Sequence, residues 1–521
     1  MWPASVEWWR AKKRVAVYVL GGSVVSVWTL LRFFTQRTIF DLVSQQVVVH
    51  QWLHGTVSTA QMGQTAYVPK MLLLYAPLDV LPGSPRFKLI VVTLAINIAT
   101  FVFIGLLLER LLRHYGVRIG WVFYTVLLWL SVLAGSMFWI EFANSRNLEV
   151  AGGVLLLLLG VRCLDQPSRR RAAGFAAFGG VLFFGDPLQV YMTGLPLMIY
   201  AGSLTVMRKI DRRRVAVLGG LLIAAWVVSQ VLFAAAGSWL HLTFTGTGAV
   251  AAPHLSATWL EQSVIGTAKA AFSLLAGAND AGRLRELANL GLLALGTVAV
   301  IYTAVHRWLP RKLLLLTGCV CVADTVVYMA SGQAGQGAAT SRYLIMLMPV
   351  LALVFSAVRL PKAALKPAAA TAGATLLLNV VALAGALGTH WNTAFPADEH
   401  VVSAYRYIRQ HPGTHVYASV DTAMAALYLD NLPAGKALPV GCLSGRLVQT
   451  HYSMDQVFAA SAVDARATAA IVFDATTINN TPSVCTPASV QAQFGAPAAV
   501  DRLDDGSVVL RYPQAAVQLA G

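Results

Sequence analysis

Hydrophobic stretches of membrane-crossing length alternate with short polar breaks over the first 391 residues of this chain. A helix needs about 20 apolar residues to cross the hydrocarbon core of a bilayer. On that rule the pattern predicts eleven spans, at about 15–34, 88–108, 119–139, 148–164, 172–184, 187–206, 215–236, 287–305, 313–330, 342–358 and 367–388. The fifth and sixth are separated only by Gly185-Asp186-Pro187, because Pro lacks the amide and clashes with the preceding turn. Long polar loops are expected at 35–87 and 237–286, the second with an interfacial helix at Ser256 to Leu275. After residue 391 the texture changes. Residues 414–420, 469–473 and 508–512 read as strands, while 398–410 and 423–429 read as helices. The chain is therefore expected to be a polytopic α-helical membrane protein of about 11 transmembrane helices, with a small C-terminal extracytoplasmic α/β domain. Residues 1–391 form the transmembrane module and 392–521 the domain.

Charge gives this pattern a direction. Six clusters fall between spans: Arg10 to Arg14, Arg110 to Arg118, Arg162 to Arg171, Arg208 to Arg214, Arg307 to Lys312 and Arg359 to Lys366. They hold 22 of the 39 Lys and Arg residues, so the formal net charge of +16 is concentrated at span ends. Basic loops stay cytoplasmic, which puts the N-terminus inside and, after eleven crossings, the C-terminal domain outside. This distribution argues against nucleic acid as the partner. With 12% charged and 57% hydrophobic residues, the composition excludes a soluble globular chain. Val15 to Leu31 follows a basic segment without a small-residue cleavage site, and is expected to remain as an uncleaved span.

Of the five cysteines, Cys163, Cys319 and Cys321 lie in or beside spans and read as packing residues. Cys442 and Cys485 are the only two in the exported domain, where a disulfide between them is plausible.

Several polar residues lie where the topology aims them outward. Asp41 is the first acid presented after span one, followed by Gln45, His50 and His54. His50 and His54 are spaced i, i+4 and make half of a metal site, but no acid or cysteine at matching spacing completes it. No metal ligand set is assigned and no divalent metal is expected. Asp186 sits at the broken helix pair with Tyr191 about one turn on, either positioning substrate hydroxyls or capping the second helix. Arg146 and Arg342 lie at outer span ends, where a charge is costly unless paired or hydrated. Arg146 also has Glu141 and Glu149 as potential ion-pair partners.

The segments "FDLVSQQVVVHQWLHG", "FANSRNLEV" and "SRYLIMLMP" resemble motifs of the GT-C superfamily of integral-membrane glycosyltransferases. The overall layout is similar over nearly the whole chain. The resemblance implies a polyprenyl-phosphate-linked sugar as donor and a glycan, lipid or protein of the cell envelope as acceptor. Asp41 would be the acceptor-activating base, with Asp186 at the same site. Arg342 and Arg146 would hold the donor phosphate, and Gln45, His50, His54 and Tyr191 would line the cavity. Many relatives carry a second acid beside the first, where this chain has Leu42. The implied location is a bacterial inner membrane with a periplasmic or extracellular C-terminal domain. Two alternatives stand beside transfer: an inactive relative in envelope assembly, and a transporter or flippase of lipid-linked glycans. No internal repeat supports a transporter, and its polar groups would gather nearer the midplane.

Overall fold

The computed structural model describes residues 3–35, 46–47, 49–50, 52–54, 60–62, 69, 71–133, 147–244, 256–276, 282–331, 334, 344–391, 406–407, 410–411, 414–419, 422–423, 437–449, 468–473, 478–480, 483–504, 506–517 and 519. Among them, each predicted span contains a helical segment, though 119–139, 187–206 and 342–358 are helical over only part of their length. The chain opens with α1 (Pro3–Thr35), β1 (Ala60–Met62), a π-helical turn (Met71–Tyr75), α2 (Ala76–Asp79) and α3 (Pro85–His114). Next come α4 (Trp121–Leu133), α5 (Asn147–Asp165), α6 (Arg169–Gly185), a second π-helical turn (Val190–Gly194), α7 (Leu195–Val206) and α8 (Arg212–Leu240). Then follow β2 (Leu242–Phe244), α9 (Ala257–Ala276), α10 (Gly282–Val305), α11 (Arg311–Ala330), α12 (Leu347–Ser356) and α13 (Lys362–Trp391).

Four of these helices are long and apolar enough to cross a membrane: Phe87–His114, Arg212–Leu240, Arg283–Val305 and Arg311–Ala330. Shorter apolar stretches occupy Arg14–Leu30, Trp121–Ser131, Val190–Val206 and Leu347–Ser356. Local chemistry sets the boundaries. Ser168 caps α6 by accepting from the Arg171 amide, and Asp186 ends it in extended backbone as a residue before proline must. The helix expected at Ser256 to Leu275 is present as α9, yet it does more than lie at an interface. Ser263, Gly266, Thr267, Ala270, Ser273 and Leu274 form a buried stripe that packs against α10 and α11. Small residues at that spacing let helix backbones approach closely.

The chain divides into two compact units, Met1–Leu31 with Thr93–Phe233 and Thr247–Trp391, and Arg32–Val92 with Ala234–Gly246 and Asn392–Gly521. The second unit thus takes in most of the 35–87 loop and the start of the 237–286 loop, which hydropathy alone assigns to the transmembrane module. Inside it, β1 and β2 pair in parallel, Ala60 opposite Leu242.

The C-terminal segment carries a six-stranded mixed sheet. Its strands are β3 (Thr414–Ser419), β4 (Ala437–Leu443), β5 (Arg446–Gln449), β6 (Thr468–Phe473), β9 (Ala499–Arg502) and β10 (Val508–Pro513), in spatial order β5-β4-β3-β6-β10-β9. A small hairpin of β7 (Ile478–Asn480) and β8 (Ser483–Cys485) stands apart, and α14 (Pro487–Phe494) follows it. β3 runs parallel to both neighbours, and β6 is buried from Ala469 to Phe473, as a central strand covered on both faces must be. At the sheet edge, with Arg511 Nε 2.9 Å away as an ion-pair contact, Asp501 accepts from Arg511 Nη2 at 3.2 Å and from the Tyr407 hydroxyl at 3.0 Å. Burial, reinforced by that hydrogen bond, pushes the Tyr407 phenol well above its ordinary value.

Cys442 of β4 and Cys485 of β8 are joined by a disulfide with their Cα atoms 5.5 Å apart, both residues buried. The bond closes a loop of sequence separation 43. Replacing both cysteines by serine is expected to destabilise this domain by about 2–4 kcal/mol, read as a lower midpoint in denaturant. An unchanged midpoint would assign the stability of the domain to its sheet alone.

Candidate functional site

The helical unit has two polar levels. At one end, the six basic clusters are tied together by short contacts. Glu109 bonds both Arg14 (3.2 Å) and Arg113, joining the first two clusters. Asp165 accepts from His114 at 2.8 Å and from Lys312 at 3.0 Å, joining the second, third and fifth. Arg214 donates to the Leu164 carbonyl at 2.8 Å, adding the fourth. Thr303 bonds the backbone of Arg359 beside the end of α10, adding the sixth. Burial alone would push the Asp165 carboxyl up, but its bonds to Lys312 and His114 outweigh this and hold it below the usual carboxylate range.

The second level is a belt of buried polar side chains far up the same helices. It contains Thr29, Asn97, Glu149, Asp186, Gln189, Arg285, Asn289, Asp324 and Asn379. Each lies 12–22 residues along the chain from the nearest Lys or Arg of its basic cluster, from Asp324 after Lys312 to Arg285 before Arg307, or roughly 18–33 Å at 1.5 Å per residue. That separation matches a hydrocarbon core of about 30 Å.

Three features of the belt carry chemistry. Asp186 is fully buried, and its carboxylate accepts from the Leu188 amide at 3.2 Å and from Gln189 Nε2 at 3.4 Å. These bonds fix the turn between α6 and the π-helical turn that follows. The following π-helical turn is a device common at functional sites, and Gly153 of α5 packs against it. A Cβ at Gly153 would stand 2.8 Å from Gln189 Oε1 and 2.9 Å from Thr193 Cγ2. Tyr191 turns the other way and is 52% exposed, so it does not join the buried group around Asp186.

Arg285 is the second feature. Its Nε donates to Asn379 Oδ1 at 2.7 Å, and its guanidinium lies 5.3 Å from the centroid of the Trp28 ring. Asn379 Nδ2 in turn donates to Asn289 Oδ1 at 3.0 Å, and Asn289 Nδ2 to the Ala276 carbonyl at 3.1 Å. Asp324 is the third. It is buried in α11, a helix packed against the second π-helical turn, α7, α9 and α12, and neither carboxylate oxygen has a hydrogen-bond partner among the described residues. An acid held in this way is costly to bury, which makes it a candidate for function.

The second unit holds a separate cluster. The His54 amide bonds the His50 carbonyl at 3.0 Å, confirming one helical turn between them, and the two rings lie 4.3 Å apart. Asp79, the last residue of α2, reaches both: Oδ1 is 2.9 Å from His50 Nδ1 and Oδ2 is 3.1 Å from His54 Nε2. The spacing argument found no acid to complete the histidine pair. The fold corrects this by bringing one from 25 residues downstream of His54. Lys88 fixes the turn by donating to the Asp79 carbonyl at 2.8 Å.

Asp41, Gln45, Arg146 and Arg342 lie outside the described residues, and so does their expected convergence with Asp186. Arg285, Asn379, Asp324 and Asp79 are not among the residues that the sequence singled out. Each is one polar residue in an apolar or turn-like context, and only Asp324 offered a signal, as an acid inside a span. Compared with known protein families and with curated protein sequences, the chain has no match.

Proposed function

We propose that this is a bacterial inner-membrane glycosyltransferase with about eleven crossings, an inside N-terminus and an outside C-terminal domain. It moves a sugar from a polyprenyl-phosphate donor to a cell-envelope acceptor. The observation that supports this best is the separation of the basic ends from the buried polar belt by roughly 18–33 Å of helix, most or all of the thickness of a hydrocarbon core. With the basic ends inside, such a belt would lie toward the outer leaflet, where a lipid-linked donor keeps its phosphate. The Cys442–Cys485 bond fits export, because disulfides persist in oxidising compartments.

In this reading Asp41 takes the proton of the acceptor hydroxyl as the anomeric carbon becomes oxocarbenium-like. The lipid phosphate leaves as a stable anion without strong acid assistance. Arg342 and Arg146 grip that phosphate with their planar forks. The test is turnover by the purified chain in lipid nanodiscs. It would be supplied with polyprenyl-phosphate hexoses and pentoses and with envelope glycans, and release of polyprenyl phosphate measured. Sugar-dependent release is expected. Absence of release from every donor would favour the inactive assembly protein.

A further inference from the structure

We propose that His50, His54 and Asp79 form a binding site for a divalent transition metal of the zinc type, with a fourth position open to water or a ligand. The inference does not depend on sugar transfer.

Three ligand atoms, His50 Nδ1, His54 Nε2 and an Asp79 carboxylate oxygen, lie within 4.8 Å of one another. In a tetrahedral zinc site with ligand bonds of about 2.0–2.1 Å, neighbouring donor atoms stand about 3.3 Å apart. The observed separations are 2.9 Å from His50 Nδ1 to Asp79 Oδ1 and 3.1 Å from His54 Nε2 to Asp79 Oδ2, so a metal between the rings would meet both carboxylate oxygens, or one of them after a small rotation of the carboxylate. Each imidazole directs its near nitrogen at one oxygen of the same carboxylate, so a tautomer in which that nitrogen carries no proton leaves a lone pair on the carboxylate side of each ring. A metal then replaces the two hydrogen bonds after a modest rotation of the rings and the carboxylate that brings their donors onto it.

The rest of the cluster suits a metal also. His50 and His54 share a helical turn, which fixes their relative position before anything binds. Asp79 ends a helix that follows directly on a π-helical turn, and Lys88 holds its backbone rather than its carboxylate. The side chain of His54 is 59% exposed while those of His50 and Asp79 are 24% and 18% exposed, so one side stays open for entry and for a fourth ligand. Two imidazoles with one carboxylate select zinc-like ions over magnesium and calcium, which take oxygen ligands. A purely structural clamp of two His–Asp hydrogen bonds is the competing role, and it makes the opposite forecast for metal uptake.

The experiment uses the full chain in detergent, purified without a polyhistidine tag and stripped with chelator, then titrated with zinc(II) and separately with cobalt(II). One equivalent of zinc is expected, with a dissociation constant on the order of 10⁻⁶–10⁻⁸ M. Cobalt should give the intense visible absorption of a tetrahedral site. His54→Gln, at an exposed position that the fold tolerates, should weaken zinc by at least about 100-fold, as should Asp79→Asn. The double variant His50→Gln/His54→Gln should remove the cobalt band, while circular dichroism stays that of the parent. Blocking the thiols Cys163, Cys319 and Cys321 should leave zinc binding intact. Failure to bind one equivalent, binding unchanged in the double variant, or binding lost on thiol blocking would each overturn the site.

Discussion

Asp41→Asn is expected to lower sugar transfer by about 10²–10⁴-fold, the range that general bases contribute. The change keeps the shape of the side chain and removes the basic oxygen charge that receives the acceptor proton. Donor binding should survive, because the phosphate is gripped by arginines rather than by Asp41. The loss should therefore fall on kcat, with KM for the donor nearly unchanged. Transfer of the sugar to water in place of the acceptor would be affected less, if acceptor activation is the step that needs the base. Equal activity of the variant and the parent would remove Asp41 from the chemistry.

The second large effect is one of stability. Asn379→Leu should destabilise the helical unit by about 3–5 kcal/mol, as removing one partner from a buried charged group does. Asn379 accepts from the buried Arg285 guanidinium and bonds Asn289, so one truncation disturbs three helices, α9, α10 and α13. Leucine restores the volume and not the acceptor, leaving Arg285 Nε facing hydrocarbon. Replacing the arginine together with its acceptor, Arg285→Met/Asn379→Leu, should recover much of the loss, because no uncompensated charge remains. Thermal unfolding in one detergent compares all three proteins. A single variant as stable as the parent would show that Arg285 draws its support from other groups.

Much of the helical unit was legible because burial in lipid writes itself as length and apolarity. The Asp186-Pro187 break and the ends at basic clusters follow from single residues with strong local rules. Ser256 to Leu275 was legible as a helix, but not its burial, since Ser, Gly and Ala in a stripe look interfacial until a partner helix is known. The sheet strands at 414–419, 468–473 and 508–513 could be read from alternation and apolar runs. β4 and β5 could not, because Pro439, Gly441 and Gly445 are signals of turns. In the candidate sites the limit was distance along the chain. His50 and His54 announce each other by a four-residue spacing, whereas Asp79 joins them only through a π-helical turn whose register no simple period describes. Arg285 read as the end of a loop, and Asn379 as a lone polar residue in an alanine-rich helix. Their pairing across 94 residues leaves no local trace.

The discontinuity of the second unit has a consequence in time. Its first segment ends at Val92 and its last begins at Asn392. At about 5–20 residues per second, roughly 15–60 s of translation separates them. Over that interval the early segment exists without most of the chain that completes its unit. β1 waits likewise for β2, which emerges only after α8. Domains usually fold in order as the ribosome releases them; here an early segment must finish last. A premature stop at the end of α13 would thus cost more than the tail, stranding residues 32–92 and leaving them to quality-control proteases.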